Sequence, residues 1–269
     1  MSGLLVGIKR QMPRLKDERA KDADRVFNAV RPSVKEKQNN KCYHCGFISK
    51  DNEVHHLDDN HHNNDDKNMV VICRLCHPYH HVGEAARQSG LQAERDGHIP
   101  SKAVALMRVS SSYSDAVSPE NMNRLMRVIG MALSDKDEAA SAKEIYALLV
   151  DAQQVKAFAN DIYGEGSGIN RLHPSDLAAG LAQLTHDEYE QRGAHLNDVR
   201  LVYHTAYLSQ LGSHIKAEAG GLKAPSQWRQ VLGEQFERVK NLVITHSAKE
   251  LEPADSNEND QGSEDSDES

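Results

Sequence analysis

The apolar positions of this chain follow two patterns. From about Ser118 onward they recur every three or four residues, the period of an amphipathic helix. "SPEN" offers Ser118 as an N-cap with Pro119 in the first helical position. Met122, Leu125, Met126, Ile129 and Leu133 follow as one stripe, and Ile145, Leu148, Leu149, Ala152 and Val155 as a second. "GEGSGIN" then breaks the chain, "HPSDLAAGLAQL" predicts a short helix from about Ser175, and "THDE" predicts a capping box at Thr185. Val199, Val202, Tyr203 and Ala206 continue the helical pattern, and Trp228, Val231, Leu232, Phe236, Val239 and Val243 make the last stripe. These stripes read as the core faces of a helical domain over 119–248. Earlier in the chain the pattern is different. "EVHHL" and "NMVVIC" are short apolar runs that read as strands, and "RLCHPYHHVGEAARQS" reads as a helix with Pro78 in its first turn. Residues 91–118, with "DGHIP" and "SSSYSD", read as a linker.

Composition refines this picture. Of 269 residues 38% are hydrophobic and 5% aromatic, so the core must come largely from Leu, Val, Ala, Met and Ile. The net charge of −8 is unevenly spread. Nine acids and no Lys or Arg fall in the last twenty residues, Glu250 to Ser269, so 249–269 reads as a disordered acidic tail and the rest of the chain as near neutral. Residues 1–41 lean the other way, with eleven Lys or Arg against five acids. That segment is either a solvated helix face or a contact for phosphate or an acidic protein. The longest apolar runs, such as "LLVGI" and "ALLV", fall far short of the ~18 residues a membrane span needs. An apolar patch ahead of the basic residues is the wrong order for a secretory signal, so a cytoplasmic protein is expected.

The four cysteines form two pairs, "CYHC" (Cys42, Cys45) and "CRLC" (Cys73, Cys76), spaced C-x2-C-x27-C-x2-C. Each C-x-x-C turn brings two sulfurs to one side of an ion, and two such turns complete a tetrahedral zinc site with no open position. The alternative is a redox dithiol or two unrelated pairs. A closed zinc site supplies about 10 kcal/mol or more to the folding of a small module. Loss of zinc is therefore expected to unfold 42–83 and leave much of the helical part standing.

Between the pairs lies "EVHHLDDNHHNNDDKNMVVICRLCHPYHH", with seven histidines in 29 positions. "VHHL", then "KN" at Lys67–Asn68, then "CRLCHPYHH", resembles the HNH, or ββα-metal, nuclease motif. Asn68 stands twelve residues after His56, His77 nine after Asn68, and His81 four after His77. The resemblance implies that His55, His77 and His81 bind one divalent metal. It implies that His56 is the general base activating water for attack on a phosphodiester, and that Asn68 holds the loop and helps orient His56. Three imidazoles without a carboxylate suit Zn2+, Ni2+ or Mn2+ better than Mg2+. His44, His61, His62 and His80 read as surface or loop polar groups. Asp58, Asp59, Asp65 and Asp66 crowd the loop where a DNA strand would pass.

The same stretch followed by "MNRLMRVIGMAL" is similar to a narrower family, IcmJ/DotN of type IVB secretion and conjugation systems. The "CxxCGF" turn at Cys42 to Phe47 and the "HHLDDN" stretch at His55 to Asn60 carry that resemblance. It implies an α+β, mostly α protein. A basic N-terminal segment (1–41) would precede a zinc-stapled HNH-like module (42–90), the linker, the helical domain and the tail. It also implies an adaptor that binds a coupling-protein ATPase, peripheral at the inner membrane. The other expectations are a metal-dependent HNH endonuclease acting on DNA and a zinc-stapled DNA-binding module without cleavage.

Overall fold

The computed structural model describes residues 3–9, 18–60, 62–82, 103–109, 118–150 and 152–217. These form a mixed α/β structure, about half helical, with two small antiparallel sheets. The expected stripe at Trp228–Val243 and the acidic tail lie outside the described residues.

Helix α1, Glu18–Lys37, comes from the basic N-terminal segment and lies on the first sheet. That sheet is a pair, β1 (Glu53–His56) and β2 (Met69–Ile72), in the register Val54↔Val71 and His55↔Val70. Val34, Val54, Met69 and Val71 make a small core under the helix, with Phe27 and Val30 packed against it. The outer edge of β2 is not left open. The Gln38 amide donates to the Met69 carbonyl at 2.8 Å and accepts from the Val71 N–H at 2.8 Å. The Tyr43 N–H takes the Val71 carbonyl. The cysteine knuckle at 42–46 is thereby fixed against the strand. β2 leads through the Cys73–Cys76 turn into α2 (His77–His80), which is followed by a turn at His81. The chain expected to continue this helix lies outside the described residues from Gly83.

Two expectations for the second half are corrected. The linker read over 91–118 contains a strand, β3 (Ala103–Arg108), and the Val199–Tyr203 stretch read as helical is also a strand, β4. They pair antiparallel from Ala103↔Tyr203 to Arg108↔Val199, with an irregularity between Ala103 and Ala105. Every residue of β4 is buried. A strand covered on both faces shows no alternation, so a short apolar run of this kind cannot be told from a helix by period alone.

The helical expectations fare better. α3 (Pro119–Leu133) starts where Ser118 caps it, the Ser118 side chain accepting from the Asn121 N–H. Met122, Leu125, Met126 and Ile129 are buried as the stripe requires. The second stripe divides into α4 (Ala139–Leu149) and α5 (Ala152–Tyr163). α6 (Pro174–Gln183) follows, and then α7 (His186–Glu190) with the Thr185–Glu188 capping box. A short α8 (Gly193–Leu196) leads to β4, and α9 (Thr205–Ala217) packs along α3. The "LLVG" segment acts as a strap. Leu4 and Val6 are buried, Gly7 exchanges backbone bonds with Tyr79 and Val82, and Leu4 N–H donates to Glu120 at 2.7 Å.

One buried cluster runs from the four cysteines, Leu75 and Tyr79 through β3, β4, α3 and α9. The expected boundary between a zinc module and a helical domain therefore crosses a continuous core, and independent unfolding of 42–83 is not what this packing supports. The α3–α9 contact is close enough to need glycine on both sides. A Cβ on Gly212 would stand 2.1 Å from the Gly130 carbonyl oxygen, and one on Gly130 would stand 2.3 Å from the Leu208 carbonyl oxygen. Backbone atoms cannot swing aside as a flexible side-chain end can. Gly212→Ala is expected to lower unfolding free energy by about 3 kcal/mol in urea titration. Gly180→Ala in α6, where a Cβ meets nothing within 4 Å, is expected to raise it by roughly 0.5–1 kcal/mol. Equal effects at the two sites would contradict the close crossing.

Candidate metal centres

The first centre is built by two tight turns. Gly46, at φ +74°, turns the first knuckle, where Gly46 N–H reaches the Cys42 carbonyl and Cys42 N–H the Phe47 carbonyl. In the second, the Cys76 and His77 N–H groups both donate to the Cys73 carbonyl. The sulfurs of Cys42, Cys45, Cys73 and Cys76 converge within 4.8 Å of one another, and none of these residues is more than 4% exposed. Cys45 and Cys73 bring sulfurs from different turns to 3.6 Å. Hydrogen bonds from Cys42 and the other sulfurs, with the nearby Arg127 charge, hold the Cys45 thiol far below its ordinary range. Burial pushes Cys73 up. Four buried cysteines at this spacing fit a structural zinc ion, since four soft donors close a tetrahedron and leave no place for substrate.

The second centre uses β1 and α2. His55, His77 and His81 bring their ligand atoms within 4.8 Å of one another. Their ring centroids are 4.9–5.2 Å apart. His81 reaches the group from the helix C-cap, at φ −131° and ψ 53°, and not from a second helical turn. Glu53 takes the Nδ1 of His77 at 2.5 Å, which leaves Nε2 for a metal, the carboxylate–histidine arrangement that orients a ligand ring. Asp59 brings Oδ1 to 3.8 Å from His81 Nε2 and adds negative charge. Burial, reinforced by the neighbouring imidazoles, pushes His55 far below the ordinary histidine value and His81 down to about 3. His55 and His81 are thus kept neutral, the form that binds a metal.

His80 and His44, read from sequence as surface groups, belong to this cluster. Their Nε2 atoms lie 2.9 Å apart, and the His80 ring is 4.5 Å from His55. Burial lowers His80 to about 3. The signal was available: His44 is held between two knuckle cysteines, and His80 immediately precedes His81 on the same turn. His62 is exposed, and His61 lies outside the described residues.

His56 is not in the triad. Adjacent strand residues face opposite ways, and the His56 ring packs on Phe27 of α1 with centroids 4.7 Å apart. The residue is 1% exposed, and its Nε2 lies 3.1 Å from Asn64 Oδ1. Asn64, which nothing in the sequence singled out, is therefore a partner of the expected base. Asn68 closes the loop. Its Nδ2 donates to Asp58 and to the Asn63 carbonyl, both at 2.8 Å, and its Oδ1 accepts from the Asp58 N–H. Asp58 is held below its ordinary carboxylate value by hydrogen bonds from Asn63, Asn60 and Asn68, which outweigh its desolvation. Asp66 pairs with Lys37 of α1.

Against models of known families and against curated proteins, the chain finds no match.

Metal counting by native mass spectrometry on the full chain is expected to give two ions per chain, and His55→Ala/His77→Ala one. Glu53→Ala should weaken the histidine centre by roughly ten- to a hundred-fold while leaving the cysteine centre loaded. Two ions in the double variant would place the second elsewhere.

Proposed function

We propose that this protein is a zinc-stapled adaptor, a binding subunit of a type IVB secretion or conjugative coupling complex, whose HNH-like module is a platform and not a nuclease. Zinc is the ion of the Cys42–Cys45–Cys73–Cys76 centre, and the histidine centre takes a second divalent metal. The observation that carries the non-catalytic reading is the enclosure of His56. A general base must come within hydrogen-bond reach of the attacking water, directly or through one further water. His56 faces α1, 1% exposed and stacked on Phe27, while the triad lies on the other side of β1. The loop over the triad adds Asp58 and Asp59, whose charge opposes a phosphate backbone.

The partner follows from the motif resemblance: a coupling-protein ATPase that receives transfer substrates at the inner membrane. No helix among the described residues is long and apolar enough to cross a membrane, which is compatible with peripheral attachment through that complex.

A second reading, a metal-dependent HNH endonuclease, is favoured by the triad and by Glu53 on His77. DNA would then be the substrate, His56 the base and Asn68 the loop anchor. Supercoiled plasmid incubated with the purified chain and Mg2+, Mn2+, Ni2+ or Zn2+ separates the two. The adaptor reading expects intact plasmid, together with recovery of the coupling ATPase by affinity capture from cells carrying the transfer apparatus. Nicking that disappears in His56→Ala would establish the endonuclease instead.

A further inference from the structure

The cysteine centre does not end at its four sulfurs. Arg127, on the buried side of α3, is 7% exposed. One of its terminal N–H groups reaches two sulfurs, Cys45 at 3.2 Å and Cys73 at 3.3 Å, and its guanidinium lies 3.8 Å above the Phe47 ring. One turn earlier Asn123, 0% exposed, donates Nδ2 to Cys76 Sγ at 3.3 Å and to the Leu75 carbonyl at 3.1 Å. One helix face thus supplies N–H donors to three of the four sulfurs, one residue serving the two knuckles and the other the second turn.

Two costs accompany this arrangement. A buried guanidinium without a counter-charge is strongly unfavourable, and among the described residues Arg127 forms no ion pair with a carboxylate. Its negative partners are the sulfurs, which carry full charge when they are metal-bound thiolates. Asn123 keeps its Oδ1 buried with no hydrogen-bond partner among the described residues, a penalty that an apolar residue would avoid. A zinc ion with four thiolates has net charge −2. A guanidinium in contact with two of them halves that charge where water cannot.

We propose that α3 is the outer shell of the cysteine centre: Arg127 neutralises the metal–thiolate cluster, Asn123 orients Cys76, and metal occupancy is thereby coupled to docking of the α3–α9 pair. Arg127 and Asn123 are positioning residues. The proposal rests on zinc binding by the quartet and is independent of whether the histidine centre cleaves DNA.

The test uses the full chain with Co2+ in place of zinc, because thiolate-to-cobalt charge-transfer absorption reports directly on the sulfurs. Hydrogen bonds and a nearby cation lower the sulfur donor levels, so removing them moves the band to lower energy. Arg127→Met is expected to red-shift the band and to speed zinc transfer to a chromogenic chelator by roughly ten- to a hundred-fold. Arg127→Lys, which keeps the charge without the planar fork, should fall between the two. Arg124→Met removes the 3.0 Å bond from Arg124 to the Cys45 carbonyl and the 2.6 Å bond to Asn121 Oδ1, neither of which reaches a sulfur, and should leave the band in place. A parental band and parental transfer rate in Arg127→Met overturn the proposal. If that variant does not fold, parental values in Arg127→Lys do so. Failure of the parent chain to take up Co2+ at the quartet would instead remove the zinc reading itself.

Discussion

The structure depends on where the four cysteine sulfurs meet. They come from two turns separated by 27 residues of chain, and bringing them together fixes the knuckle, the β1–β2 hairpin and the start of α2 at once. The second turn is also gripped from the helical side. Tyr203 donates to the Leu75 carbonyl at 2.5 Å, Tyr207 to the Arg74 carbonyl at 3.3 Å, and Asn123 to Leu75 as well. A metal ion bound at this point would hold together elements from both halves of the chain, which already share one continuous core.

The histidine centre depends on that arrangement. α2 is a single turn, too short to stand alone in water, yet it carries His77 and His80 and presents His81. It is held by the cysteine turn before it, by the N-terminal strap at Gly7, and by Tyr79, whose hydroxyl accepts the Leu201 N–H. Ligand geometry at the histidines is therefore set by the cysteine centre and by β4. The same alternation that points His55 at α2 points His56 at α1, so the residues that a nuclease would use together are separated by one strand. Strand alternation thus groups His55 with His77 and His81 and leaves His56 enclosed against α1.

The parts legible in the sequence were those governed by short-range rules. The two C-x-x-C pairs, the Ser118 cap, the Thr185 capping box and the α3 stripe each follow from residues a few positions apart, whereas the grouping of His55, His77 and His81 was implied by the motif resemblance. The missed parts depend on distant partners. β3 and β4 are strands because they pair across more than ninety residues, and β4 is buried along its whole length. "LLVG" is core because Tyr79 and Val82 accept it as a neighbour. Asn64 meets His56 through loop closure that no local pattern encodes, whereas His44 and His80 were marked by their places beside Cys45 and His81. Arg127 and Asn123 sit in a helix read only for its apolar stripe, and nothing in their spacing shows that their polar ends meet sulfur.

The most direct test of this account is amide hydrogen exchange across 18–217 before and after removal of the cysteine-bound metal with a strong chelator. If the centre joins the two halves, protection in α3 and α9 falls together with protection in 42–82. Retention of full protection in α3 and α9 while 42–82 exchanges freely would mean that the helical part stands alone, and that the cysteines staple only their own module.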